Sequence, residues 1–85
     1  MTKSAALRWA TEGLRVNSLH PGFIETPLIA GTKGTPMEEG IISMTPMGRL
    51  GRPEEVSGVI AFLASDDASY MTGSEVYVDG GWIAR

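Results

Sequence analysis

An apolar run, Val16–Leu19, meets His20, Pro21 and Gly22, then Phe23, Ile24, Thr26 and a second proline, Pro27. A strand halted by Pro-Gly leaves an open backbone at its carboxyl end, which is where open α/β sheets bind ligands. Gly22, with no side chain, lets a flat ring approach the main chain. The same residues also describe a plain strand-terminating turn. His20, the only histidine, is of the residue type that most often serves as a general base. Its position beside the turn suits a structural or pocket-lining role better. Phe23, Met37, Ile41 and Met44 are apolar and adaptable enough to wall a hydrophobic substrate, or simply to pack a loop. Arg49, Arg52, Glu54 and Glu55 read as a helix start with surface ion pairs rather than a phosphate site. Asp79, before Gly80-Gly81, reads as a turn and not as a metal ligand.

Eighty-five residues bound the chain to one domain with a marginal core. Cysteine is absent, so disulfides and thiolate metal sites are excluded. One histidine makes a histidine-based zinc site equally unattractive. The net charge is −3 and the seven basic residues are scattered, without the basic stripe that nucleic acid requires. No apolar run approaches a membrane span, and the N-terminus does not resemble a signal peptide. A cytoplasmic location is the expectation.

The elements that must position the turn follow from patterning. Thr2–Glu12 is expected to be a helix stopped by Gly13, with the small residues Ser4, Ala5 and Ala6 allowing close approach of a neighbour. Val16–Leu19 is a short strand. Pro36–Met44 is a short helix with Pro36 in its first turn and Glu38 and Glu39 at the favourable end. Pro53–Ala64 is the clearest helix, and Val56, Val59, Ile60 and Leu63 form a core-facing stripe. Glu75–Val78 alternates as a last strand and stops at Asp79-Gly80-Gly81. The order is α/β, but two strands cannot complete a sheet that needs partners on both sides.

The segments RVN (Arg15–Asn17), HPGFIETP (His20–Pro27), PMGRLGRPEEV (Pro46–Val56), FLAS (Phe62–Ser65), SYMTG (Ser69–Gly73) and VDGG (Val78–Gly81) resemble, in order, the C-terminal part of the classical short-chain dehydrogenase/reductase family. The resemblance covers essentially the whole chain. It implies the C-terminal part of a Rossmann-type doubly wound parallel sheet, with two strands and two or three helices present. Residues 1–85 would then form one incomplete domain. It also implies NAD or NADP, with NAD slightly favoured, and interconversion of a secondary alcohol and a ketone. The implied cofactor contacts are Pro21, Gly22, Phe23, Ile24, Thr26 and Leu28. Among them the Ile24 backbone holds the nicotinamide carboxamide, and the Thr26 hydroxyl contacts the carboxamide or diphosphate. Phe23, Met37, Ile41 and Met44 remain the candidate substrate wall.

The family's Thr-Gly-x-x-x-Gly-x-Gly loop, its catalytic serine and its Tyr-x-x-x-Lys pair have no counterpart in these residues. Lys3, Tyr70 and Tyr77 do not match that pair, so no catalytic residue is assigned. The expectation is a C-terminal fragment, inactive alone, whose parent is a homo-oligomer, dimer or tetramer, built through the Pro53 helix and last strand. The competing expectation is a non-catalytic module that pairs with a full-length relative through the same surfaces.

Overall fold

Helix α1, Thr2–Trp9, tightens into a 3-10 turn, Ala10–Glu12, and stops at Gly13. Gly13 takes φ 80° and its amide closes on the Ala10 carbonyl, the left-handed cap that glycine provides without steric cost. These elements belong to a computed structural model that describes residues 1–27 and 31–85. Ala6 is the buried residue of α1, and a Cβ on Gly73 would touch its methyl at 3.4 Å. The small residues thus let α1 lie close against the loop before the last strand. Thr2 Oγ1 and Ser18 Oγ share a hydrogen bond of 2.5 Å.

Strands β1, Ser18–Pro21, and β2, Glu75–Val78, pair in parallel, with Ser18 opposite Glu75 and Pro21 opposite Val78. Between them lie α2, Pro36–Met44, and α3, Pro53–Ala64. Both helices have the bounds expected from sequence. Each opens on a proline with glutamates in its first turn, where the missing amide costs nothing and the helix dipole favours negative charge. Thr35 caps α2 by accepting from the Glu38 amide at 3.4 Å.

The first strand is displaced from its expected position, Val16–Leu19. The Val16 amide donates to Thr72 Oγ1 at 3.1 Å. Asn17 donates to the Met71 carbonyl at 3.1 Å and accepts from the Ser74 amide at 3.0 Å. Residues 16 and 17 therefore staple the loop before β2, and the ladder begins only at Ser18. Arg15 extends the staple. Its guanidinium donates to the Leu63, Ser65 and Met71 carbonyls at 2.8, 3.4 and 3.3 Å, a cation on the carbonyl end of α3.

The expected core is not formed by these residues alone. Among the described residues, the buried apolar side chains are Ala6 and Ala68. No residue of α3 is buried, and Ile60 of the expected core stripe is 52% exposed. Leu19, Ile60 and Leu63 face a shared cleft instead of packing shut. Two four-residue strands present too little surface to cover a twelve-residue helix. The radius of gyration, 15.6 Å, exceeds the roughly 12 Å of a compact chain of this length. The isolated chain is therefore expected to bind the dye ANS strongly and to melt without a sharp cooperative transition. Calorimetry with ANS fluorescence checks this; a sharp melt with no dye binding would contradict it.

Candidate functional site

β1 ends at Pro21, yet the next amide, Gly22, still donates to the Val78 carbonyl at 2.9 Å. A Cβ on Gly22 would lie 2.8 Å from Asp79 Cα and 2.9 Å from Asp79 Cβ. The glycine is thus required by the end of β2, whose backbone fills the space beside it. Phe23, Ile24 and Glu25 then run alongside Gly51. The Gly51 amide donates to the Phe23 carbonyl at 3.0 Å, and the Glu25 amide donates to the Gly51 carbonyl at 2.8 Å. These bonds form a parallel bridge between Ile24 and Gly51.

That bridge fixes the polarity of the turn. In a parallel pairing, the residue between the two bonds directs its own N–H and C=O to the opposite side. The Ile24 amide and carbonyl therefore face away from Gly51, and among the described residues neither has a partner. One donor and one acceptor from a single residue match a primary carboxamide, which offers one of each along its edge.

A second strap holds the turn from the C-terminal side. Asp79 accepts from the Gly81 amide at 2.9 Å through Oδ1 and from the Ile83 amide at 3.1 Å through Oδ2. The resulting 3-10 turn, Trp82–Ala84, places Trp82 edge-on to Phe23, with ring centroids 5.1 Å apart. Arg85 lies 4.0 Å from the Trp82 ring centroid, within cation–π range. His20 stacks on Tyr77 at 4.8 Å, and its Nε2 is buried without a partner among the described residues.

Pro21, Gly22, Phe23 and Ile24 are thus brought together, and Thr26 lies exposed just beyond them. Leu28 lies outside the described residues. Phe23 lines two clefts, one of about 250 Å³ with Thr45 and Met47, the other of about 330 Å³ with Trp82 and Ile83. Met37, Ile41 and Met44 line neither. Met37 and Met44 are exposed on α2, and a cleft between α2 and residues 48–52 is lined from the helix by Glu38 and Ile42. Trp82 and Gly51 are the neighbours that sequence reasoning missed. The glycine was visible, but nothing local marked its pairing with Ile24.

Arg49 and Glu55 form a two-pronged ion pair, Nη1 to Oε1 at 2.8 Å and Nη2 to Oε2 at 2.9 Å. Glu55 Oε1 also accepts from the Arg52 amide at 2.9 Å. The Arg49 hydrogen bonds, then the Arg52 amide, hold the Glu55 carboxyl down at about 2. Both side chains are partly exposed, so solvent screens the attraction. Among the described residues, no group of three or more His, Cys, Asp and Glu could hold a metal ion. No described helix is long and apolar enough to cross a membrane.

The enoyl-(acyl carrier protein) reductase family matches residues 1–83. The chain belongs to the short-chain dehydrogenase/reductase family. Cyclohexanol dehydrogenase of Acinetobacter sp. (strain SE19) is 52% identical over 85 residues, covering 100% of this chain and 32% of that protein. A putative 2-deoxy-d-gluconate 3-dehydrogenase from Agrobacterium tumefaciens, solved with bound NADP, is 39% identical with a TM-score of 0.92. That match covers 99% of this chain and 35% of the neighbour. A mutant 4-hydroxyisoleucine dehydrogenase complexed with NADH and succinate is 33% identical, with a TM-score of 0.91, covering 99% and 35%. The chain thus spans about a third of the length of each of these short-chain dehydrogenase/reductases. These neighbours share the Rossmann-type fold, and β1 and β2 are its parallel strands here.

The depressed Glu55 carboxyl carries a signed pH dependence. Its pairing contributes fully above the ordinary value of 4.5 and is lost as pH falls through about 2. Carbon-detected NMR of the Glu55 carboxyl should give a midpoint near that value, moved upward by Arg49→Ala. A midpoint in the ordinary carboxylate range in the unsubstituted chain would show that the pair is not formed.

Proposed function

We propose that these residues form the nicotinamide-facing strand end of an NAD- or NADP-dependent oxidoreductase that interconverts a secondary alcohol and a ketone. The observation that carries this reading is the Ile24 amide and carbonyl, turned away from Gly51 just beyond β1 and without a partner among the described residues. They would hold the carboxamide of the cofactor, whose ring, when bound, supplies or accepts the hydride. Fixing that group at two points selects which face of the ring meets the substrate. Phe23, backed by Trp82, would exclude water from one side of the turn, and Thr26 adds a hydroxyl nearby. The solved neighbours bound to NADP and to NADH support a nicotinamide cofactor of either kind. The cyclohexanol dehydrogenase relative supports an apolar secondary alcohol.

Proton transfer is assigned to no residue of this chain. The positions four residues after Tyr70 and Tyr77 are Ser74 and Gly81, so neither tyrosine belongs to a Tyr-x-x-x-Lys pair. The apolar face of α3 and the outer edges of β1 and β2 would pack against the rest of the subunit and against further copies.

Two comparisons test the proposal. The purified 85-residue chain should show no alcohol oxidation. The same residues, exchanged for the matching segment of the Acinetobacter cyclohexanol dehydrogenase, should give an active enzyme. In that enzyme Ile24→Pro, which removes the amide donor, should raise the KM for dinucleotide about tenfold, the effect of roughly 1.4 kcal/mol. Turnover by the isolated chain would overturn the first expectation; an unaltered KM in the proline variant would overturn the role of Ile24.

A further inference from the structure

We infer that Glu55, acting through Arg49 and the Arg52 amide, is a positioning residue for the carboxamide contact of Ile24. The inference rests on the cofactor reading above and adds what sets its geometry. Sequence reasoning treats Arg49, Arg52 and Glu55 as surface charges around a helix start. The structure joins them to the turn. Glu55 sits in the first turn of α3, so its backbone is fixed by the helix. One of its carboxylate oxygens takes the Arg52 amide and an Arg49 nitrogen, and the other takes the second Arg49 nitrogen. Arg49 and Arg52 are anchored to one rigid point on either side of Gly51.

Gly51 is the residue that exchanges both hydrogen bonds with the Ile24 turn. A carboxylate on α3 therefore sets the position of residues 49–52, and residues 49–52 set which way the Ile24 peptide groups face. Arg49 reinforces the connection by donating to the Leu50 carbonyl at 3.1 Å. Gly51 is also constrained from the turn side, since a Cβ there would lie 2.7 Å from Ile24 Cδ1. Ile24, Arg49, Gly51 and Glu55 line a common cleft. Glutamine at position 55 would keep the Arg52 amide bond but lose the two-pronged acceptor. Lysine at position 49 would keep the charge but lose the planar fork.

The test uses the complete enzyme in which these 85 residues replace the matching segment of the Acinetobacter relative. Its readout is the ratio of kcat/KM for the natural dinucleotide to that for the 3-acetylpyridine analogue, in which a methyl replaces the carboxamide nitrogen and its donor. Glu55→Gln should lower that ratio about three- to tenfold, the equivalent of one misplaced hydrogen bond. Arg49→Lys should lower it in the same direction by less, and the thermal midpoint checks that both variants are folded. An unchanged ratio, or an equal loss with both dinucleotides, would overturn the inference. If the unsubstituted enzyme binds dinucleotide but does not distinguish the two, the Ile24 contact itself fails, and this inference fails with it.

Discussion

The arrangement of the site depends on where Gly51 lies beside Ile24. Two hydrogen bonds, Gly51 N–H to Phe23 and Glu25 N–H to Gly51, place Phe23 and Glu25 on one ladder and turn Ile24's own groups outward. The pairing is short, and short pairings are weak alone. It is held because both partners are fixed elsewhere. Gly22 is locked against Val78 and Asp79. Residues 49–52 are pinned to the first turn of α3 by one carboxylate. A donor–acceptor pair fixed in this way would meet a ligand without first having to order itself, which is how preorganised sites gain affinity.

The same residues show how little this segment can stabilise by itself. Polar staples dominate: Arg15 on three carbonyls, Asn17 on two backbone groups, Asp79 on two amides. Each contributes modestly when it exchanges water for protein partners. Burial of apolar area, the larger driving force, is mostly unrealised, since Ile60, Phe62, Leu7 and Leu14 remain at least 40% exposed. Geometry at the turn is therefore specified locally, while its stability is expected to come from surfaces that pack against α3 and the two strands.

Legibility in the sequence followed the range of the interactions. Helices α2 and α3 were readable because Pro36, Pro53 and the glutamates after them act within one turn. The stop of α1 was readable because Gly13 supplies its own left-handed cap. The strand that leads into the candidate site starts two residues later than its apolar run, because Val16 and Asn17 bond the Thr72–Ser74 loop, far away in sequence. The Val56–Leu63 stripe keeps its helical periodicity but is not buried, for want of a partner surface. Ile24 is marked in the sequence only by family resemblance; that its peptide groups turn outward is visible only with Gly51 alongside. The apolar character of Met37, Ile41 and Met44 does not by itself set which way α2 faces, and they line neither cleft beside Phe23.

The most direct measurement follows the Ile24 amide itself. In the cyclohexanol dehydrogenase relative carrying these 85 residues in place of its matching segment, selective nitrogen-15 labelling of isoleucine and glycine reports both sides of the bridge during titration with reduced dinucleotide. The Ile24 amide proton should move downfield on saturation, as a new hydrogen bond requires, while the Gly51 amide, already bonded to Phe23, should barely move. A bound dinucleotide that leaves the Ile24 amide unshifted would contradict it.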